Sequence, residues 1–122
     1  MIERDFLMRQ IAQFVQVLAA VVAGKGRGDL AEAQQILEAG LHEAGLPLAE
    51  IRAMSRAEVE ALVTEDGMTL PEKAVSLADL LREDAEAAGR VRARWLYQVA
   101  LDAGGPVPFD VQARIDALPE AA

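Results

Sequence analysis

The sequence predicts an all-α protein, an irregular bundle of five to six helices in antiparallel hairpins, forming one domain over residues 1–122. Hydrophobic residues make up 52% of the chain but aromatic residues only 4%, so the core must be built from Leu, Val, Ile and Ala. Ala is the strongest helix former. Val and Ile do not fall into period-2 runs bounded by turn residues, as strands require. Short connections between the periodic segments favour antiparallel neighbours.

Capping signals place the helices in order along the chain. Three residue pairs have the spacing of a capping box, namely Asp29 with Glu32, Ser55 with Glu58, and Thr69 with Glu72. Pro71 falls in a first helical turn, where its missing N–H costs nothing. Glycines suited to left-handed C-caps follow the periodic segments at Gly24, Gly45, Gly67, Gly89 and Gly104. We therefore predict main helices at 2–23, 30–44, 56–65, 70–88 and 90–103, a short turn at 48–53, and a last helix at 109–118 closed by Pro119.

The helix at 2–23 is apolar on nearly every side. One stripe consists of Ile11, Val15, Leu18 and Val22, widened by Leu7, Met8 and Phe14, and a second consists of Ile2, Phe6, Val17 and Val21. A helix of this kind is buried on more than one side. Either it is the central helix of the bundle, or half of its surface meets another chain. In the second case we expect a two-fold homodimer with Phe6, Phe14, Val17 and Val21 as self-association residues.

The only Trp and the only Tyr lie two positions apart on opposite faces of the helix at 90–103. Tyr97 shares its face with Ala93 and Ala100, whose small side chains let a neighbouring helix approach, so Tyr97 is expected to pack in the core. Trp95 shares its face with Val91 and Val99. That second apolar stripe must pack against a neighbouring helix or against a partner protein.

The spacing of Ala93, Tyr97, Ala100 and Leu101 resembles the second helix of a tetratricopeptide repeat. Leu77 and Leu80 fall where that repeat has large apolar residues, whereas Leu81, Asp84 and Pro106 depart from its pattern. A fainter copy consists of Ala33, Leu37, Gly40 and Leu41, sixty residues upstream, so the chain is no regular array. The opening MIERDFLMR is also similar to the start of a family of short, uncharacterised bacterial helical proteins. These resemblances imply a tetratricopeptide-like fold and, by analogy, binding of a protein or peptide segment.

Charge and composition exclude several classes of function. The net charge is −8, and residues 29–67 carry nine acidic and two basic groups, whereas a nucleic-acid backbone needs Lys and Arg. We expect no nucleic-acid binding, and a basic partner if this segment has one. The absence of cysteine excludes disulfides and thiolate metal sites. The apolar run 14–23 is too short to span a bilayer, and its flanking charges are balanced, so a cytoplasmic protein without membrane contact is expected.

Candidate chemical motifs are weak. The segment VVAGKGRGD lacks the first Gly and the hydroxyl residue of a phosphate loop and is better interpreted as an inter-helix turn. His42, the only histidine, lies near Glu38 and Glu43 but lacks the further ligands that a metal site needs. No nucleophile is paired with a base. We expect neither catalysis nor a cofactor nor a bound metal.

One charged cluster is more informative. Three acidic residues near a helix C-terminus precede three basic residues that open the next helix, namely Glu83, Asp84 and Glu86, then Arg90, Arg92 and Arg94. They are expected to pair across a turn at Gly89. Alternatively, the arginines form a ledge for a carboxylate or phosphopeptide, since guanidinium groups bind such anions bidentately. In that case the candidate partner-binding residues are Arg90, Arg94, Trp95, Val91 and Val99.

The function predicted from these observations is a small helical adaptor that binds a protein or peptide. The alternative is an enzyme or small-ligand-binding protein with a polar pocket between helices. A deep pocket that converges on two or more buried carboxylates would favour the alternative, and a shallow apolar groove would favour the adaptor.

Overall fold

A computed structural model describes residues 4–121, which form seven helices and one short β-hairpin. In chain order the elements are α1 (Arg4–Gly26), α2 (Leu30–Glu43), α3 (Leu48–Arg52), α4 (Arg56–Ala61), β1 (Thr64–Glu65), β2 (Met68–Thr69), α5 (Pro71–Leu81), α6 (Ala87–Asp102) and α7 (Val111–Asp116). The all-α prediction is confirmed. The start of the first predicted helix lies outside the described residues.

The core lies between two helical hairpins. One hairpin pairs α1 with α2, the other pairs α5 with α6, and α1 also packs against α5. The three short helices α3, α4 and α7 all contact α6. Leu96 and Tyr97 of α6 are fully buried together with Leu37 of α2 and Leu77 of α5. The last long helix, α6, is therefore the shared neighbour of α5 and the three short helices.

Several local signals act as predicted. Ser55 and Glu58 form a complete capping box, and the Asp29 side chain accepts from the Glu32 N–H. Pro71 occupies the first turn of α5. Gly45 has a positive φ of 78°, as a left-handed helix end requires.

The helix predicted at 56–65 is interrupted by a β-hairpin. α4 ends at Ala61, and Thr64 then pairs with Thr69 across a two-residue turn. Asp66 and Gly67 in that turn both have positive φ, 52° and 77°, which is the type I′ geometry that Asp-Gly favours. Thr69 is consequently a strand residue and not the predicted helix cap.

The predicted boundary at Gly89 is also wrong. α5 ends at Leu81 and α6 begins at Ala87, so Gly89 lies inside the first turn of α6. A Cβ atom at Gly89 would collide with the carboxylate of Asp84. This glycine is required for close approach and not for a left-handed turn. Gly24 likewise lies within α1, where it packs against Ala33 of α2.

Candidate functional site

The three arginines at the start of α6 bind backbone carbonyl groups of neighbouring segments. Arg90 Nη1 donates to the carbonyl oxygens of Asp84 and Ala85, 2.8 Å from each. Arg92 donates through Nη2 to the Met54 carbonyl just after α3, at 2.8 Å. These guanidinium groups are therefore engaged within the molecule.

Arg94 makes the equivalent contact at the end of α7. Its Nη1 donates to the carbonyl oxygens of Ile115, at 2.6 Å, and Leu118, at 3.0 Å. Carbonyls at a helix C-terminus lack intrahelical partners, and a cation there is favourable. Arg94 thus holds the C-terminal end of α7 against α6.

The predicted partner-binding surface is not formed at these residues. Val91 and Val99 are only 2% and 5% exposed, so both belong to the core. Trp95 is half-buried against that core, and the Arg92 guanidinium lies 4.6 Å from its ring centroid. Val91 and Val99 therefore pack within the molecule, which corrects the expectation that these two residues bind a partner.

The acidic residues of the same cluster form hydrogen bonds and ion pairs with residues of other helices. Asp84 is 2% exposed and accepts from Arg52 of α3 through Nε, at 2.9 Å, and Nη2, at 2.7 Å. Gln34 of α2 donates to the same carboxylate at 3.0 Å. Burial favours the neutral acid, but the hydrogen bonds from Arg52, the Glu86 N–H and Gln34 outweigh it and lower the pKa of Asp84.

The expected pairing across a turn at Gly89 is therefore wrong. Glu86 pairs with Arg52, and Glu83 pairs with Lys25 of α1 at 3.1 Å. Lys25 Nζ also donates to the Glu83 carbonyl at 2.8 Å, so the lysine of the VVAGKGRGD segment is tied to the bundle. The cluster ties four segments of the fold together.

Tyr97 is fully buried, which confirms its predicted packing role, and its hydroxyl donates to the Asp79 carboxylate. Arg114 of α7 donates to the same carboxylate at 2.9 Å. Burial and the adjacent Asp79 carboxylate together raise the pKa of the Tyr97 phenol. Sequence patterns did not identify this cluster, because Asp79 and Arg114 lie 35 residues apart in the chain.

An open groove of about 590 Å³ separates α2 from α3. His42, Glu38 and Glu43 lie along it with exposed side chains, and Arg52 at its floor is bound to Asp84. Within residues 4–121, no three His, Cys, Asp or Glu side chains are grouped closely enough to hold a metal ion. The groove is therefore an open surface feature bordered by exposed side chains.

The largest unexplained feature is the outer face of α1. Exposed apolar or small residues follow one line along this face, which we call the α1 stripe: Met8, Ala12, Val15, Ala19, Val22 and Gly26. Val15 and Val22 are 55% and 51% exposed. Contiguous apolar surface of this kind marks interaction sites in soluble proteins.

The opposite face of α1 accounts for three of the four predicted self-association residues. Phe14 and Val21 are fully buried, and Val17 packs against Gly40 of α2. Phe14 and Val21 are therefore unavailable to a partner, and Val17, which is partly buried, fills the space left by Gly40. Phe6, by contrast, is exposed.

α1 also has the length and composition of a membrane-spanning helix. Its most apolar 18-residue window has a mean hydropathy of 1.6, and only 17% of that window is buried in the fold. It is the only such helix in the described part of the chain. A helix that is apolar on nearly every side is normally buried, so the exposed face of α1 is expected to lie against another molecule.

The chain matches no known family model, and it matches neither a curated protein nor a solved structure. Both family resemblances thus remain predictions.

Proposed function

We propose that this protein is a small helical adaptor that binds an amphipathic helix of a protein partner along the α1 stripe. The observation that carries the proposal is the spacing of the exposed residues. From Met8 to Val22 they recur at intervals of four, three, four and three residues. This is the heptad spacing with which two helices pack side by side.

The fold supports this use of α1 because residues on another side of the helix pack into the core. Phe14 and Val21 hold it in the core, and Gly24 packs against Ala33 of α2. The stripe is therefore presented on a rigid element, so a partner helix would not have to order it. Such preorganisation lowers the entropic cost of binding.

The alternative function, a polar small-ligand pocket, lacks a comparable observation. Among residues 4–121, Asp84 is the one carboxylate in the buried class, and Arg52 and Gln34 already bind it. The groove between α2 and α3 is open and bordered by exposed side chains. Neither feature provides the converging buried carboxylates that such a site would require.

In-cell photo-crosslinking tests the proposal. With a photo-reactive amino acid in place of Val15, we expect a covalent adduct to a protein, and the same adduct should be lost when Ala19→Glu is added. The matched control places the photo-reactive residue at Met68, which is equally exposed but lies on the β-hairpin. Absence of a protein adduct at position 15, or an equal yield at position 68, would refute the proposal.

A further inference from the structure

The α1 stripe alternates large and small residues along its whole length. Met8, Val15 and Val22 occupy one heptad position, and three small residues occupy the other, namely Ala12, Ala19 and Gly26. Building on the adaptor function proposed above, we infer that the partner helix is α1 of a second copy of this chain, packed antiparallel. The two-fold axis would cross the stripe at the level of Val17.

This arrangement makes the stripe complementary to itself. With the axis at that level, Val15 faces the partner's Ala19, and Ala12 faces the partner's Val22. Met8 then faces the partner's Gly26. Each layer therefore contains one large and one small residue, so the side chains interdigitate. A two-fold interface requires this reciprocity, since each contact must occur twice.

A parallel pair does not fit the same residues. In register, Ala12 and Ala19 would each face their own copies, leaving layers too small to fill the space between the helices. Arg4 would also lie beside the partner's Arg9, where flanking positions meet in a parallel pair. The antiparallel pair instead places Arg9 beside the partner's Ala23 and Lys25 beside the partner's Ile11, without facing like charges.

A second copy also fits better than a lipid bilayer. Helices that lie on membranes carry a basic polar face, and anionic lipids attract it. Between Arg9 and Lys25, α1 carries no charged residue, so it lacks the continuous basic face of such helices. Spanning a bilayer would require α1 to leave the core, which would remove Phe14 and Val21 from it and break the contacts of α1 with Ala33 and Gly40 of α2.

Sedimentation velocity at micromolar concentration tests self-association. We expect the unmodified chain to be a dimer and Val15→Glu to be a monomer with the same helical circular dichroism, because the Val15 side chain is exposed in the monomer. Met68→Glu, a matched exposed site away from the stripe, should remain a dimer. A monomeric unmodified chain, or a Val15→Glu dimer, would overturn the proposal.

Single cysteines test the antiparallel register cleanly, because the chain has no cysteine of its own. Gln16 lies beside the axis, next to the partner's Gln16, whereas Arg9 lies about 24 Å along the helix from its counterpart at 1.5 Å per residue. A short bismaleimide should therefore link Gln16→Cys chains and leave Arg9→Cys chains unlinked. Equal linking of both variants would indicate a parallel pair and contradict the register.

The outcomes separate this inference from the adaptor function. If the unmodified chain is a monomer but position 15 crosslinks to a different protein in cells, the homodimer is refuted and the adaptor function stands. If the unmodified chain floats with vesicles of phosphatidylcholine and phosphatidylglycerol and Val15→Glu does not, the stripe binds a bilayer. That last result would refute both.

Discussion

A single buried carboxylate, Asp84, links distant parts of the chain. It accepts hydrogen bonds from Gln34 and Arg52, 50 and 32 residues away in sequence, and from the N–H of Glu86. Gly89 leaves the space that this carboxylate occupies. Removing one member of a buried ion pair leaves the other charge uncompensated, which is costly.

We therefore predict that Asp84→Asn lowers the free energy of unfolding by about 3 kcal/mol at pH 7. Because the pKa of Asp84 is lowered by folding, its contribution is fully present above the unfolded-state value of about 3.9 and is lost as pH falls through the lower folded value. Urea unfolding of both chains from pH 7 to pH 3 measures this. Asp102→Asn, an exposed carboxylate at the end of α6, controls for the lost charge. A difference between Asp84→Asn and the parent chain that is unchanged at pH 3 would contradict the prediction.

Helices α1 and α2 approach closely because Gly40 lacks a side chain. A Cβ atom there would lie 2.6 Å from Val17 Cγ1 and 2.7 Å from Cγ2. The valine methyl groups occupy the space that alanine would need. The close contact between Gly40 and Val17 thus sets the distance between α1 and α2.

Gly40→Ala is expected to cost about 1–3 kcal/mol of unfolding free energy through overpacking, although alanine favours helix. Val17→Ala alone should also destabilise, because it removes packed methyl groups. The double variant should be less destabilised than the sum of the two, since the smaller residue at 17 makes room for the methyl at 40. Chemical denaturation of the parent chain, both single variants and the double variant completes a double-mutant cycle. Strictly additive changes in unfolding free energy would exclude the contact between residues 17 and 40.

The short helix α7 depends on side chains from other elements. Arg94 of α6 holds its last carbonyls, and Arg114 on α7 itself reaches Asp79 of α5. Arg94→Ala should therefore increase amide hydrogen exchange across Val111–Asp116 while leaving α5 protected. Arg56→Ala, a control that removes an exposed arginine hydrogen-bonded to Gln98, should leave α7 unchanged. Unchanged exchange in α7 on Arg94→Ala would show that the contacts of Arg94 with the α7 carbonyls do not stabilise the helix.

At the scale of the whole molecule, α1 has two apolar faces with different roles. Phe14 and Val21 fill the core, while Val15 and Val22 remain on the surface. If the second face is covered by another copy, dissociation accompanies unfolding and stability depends on concentration.

The melting temperature should then rise by roughly 3–5 °C for each tenfold increase in protein concentration, since a tenfold change corresponds to about 1.4 kcal/mol per dimer. Val15→Glu should abolish this dependence, and Met68→Glu should retain it. Differential scanning calorimetry over two decades of concentration provides the measurement. A melting temperature of the unmodified chain that does not change would exclude the dimer.

Signals that act within a few residues were predictable from the sequence. The capping box at Ser55, the cap at Asp29 and the proline at position 71 fixed three helix starts, because their partners lie within one turn. The β-hairpin at 64–69 also carries a local signal, the Asp-Gly pair at 66–67. Gly67 also suits a left-handed helix C-cap, so the local pattern is compatible with a helix end as well as with a hairpin.

Only the tertiary structure decided which groups meet across the fold. Arg90 and Arg94 bind backbone carbonyls that no spacing in the sequence relates to them, and Asp84 pairs with an arginine of a different helix. The sequence by itself determined that α1 is apolar on more than one side. Which side is covered depends on where α2 and α5 pack, because a periodic pattern shows that a face is apolar but not what lies against it.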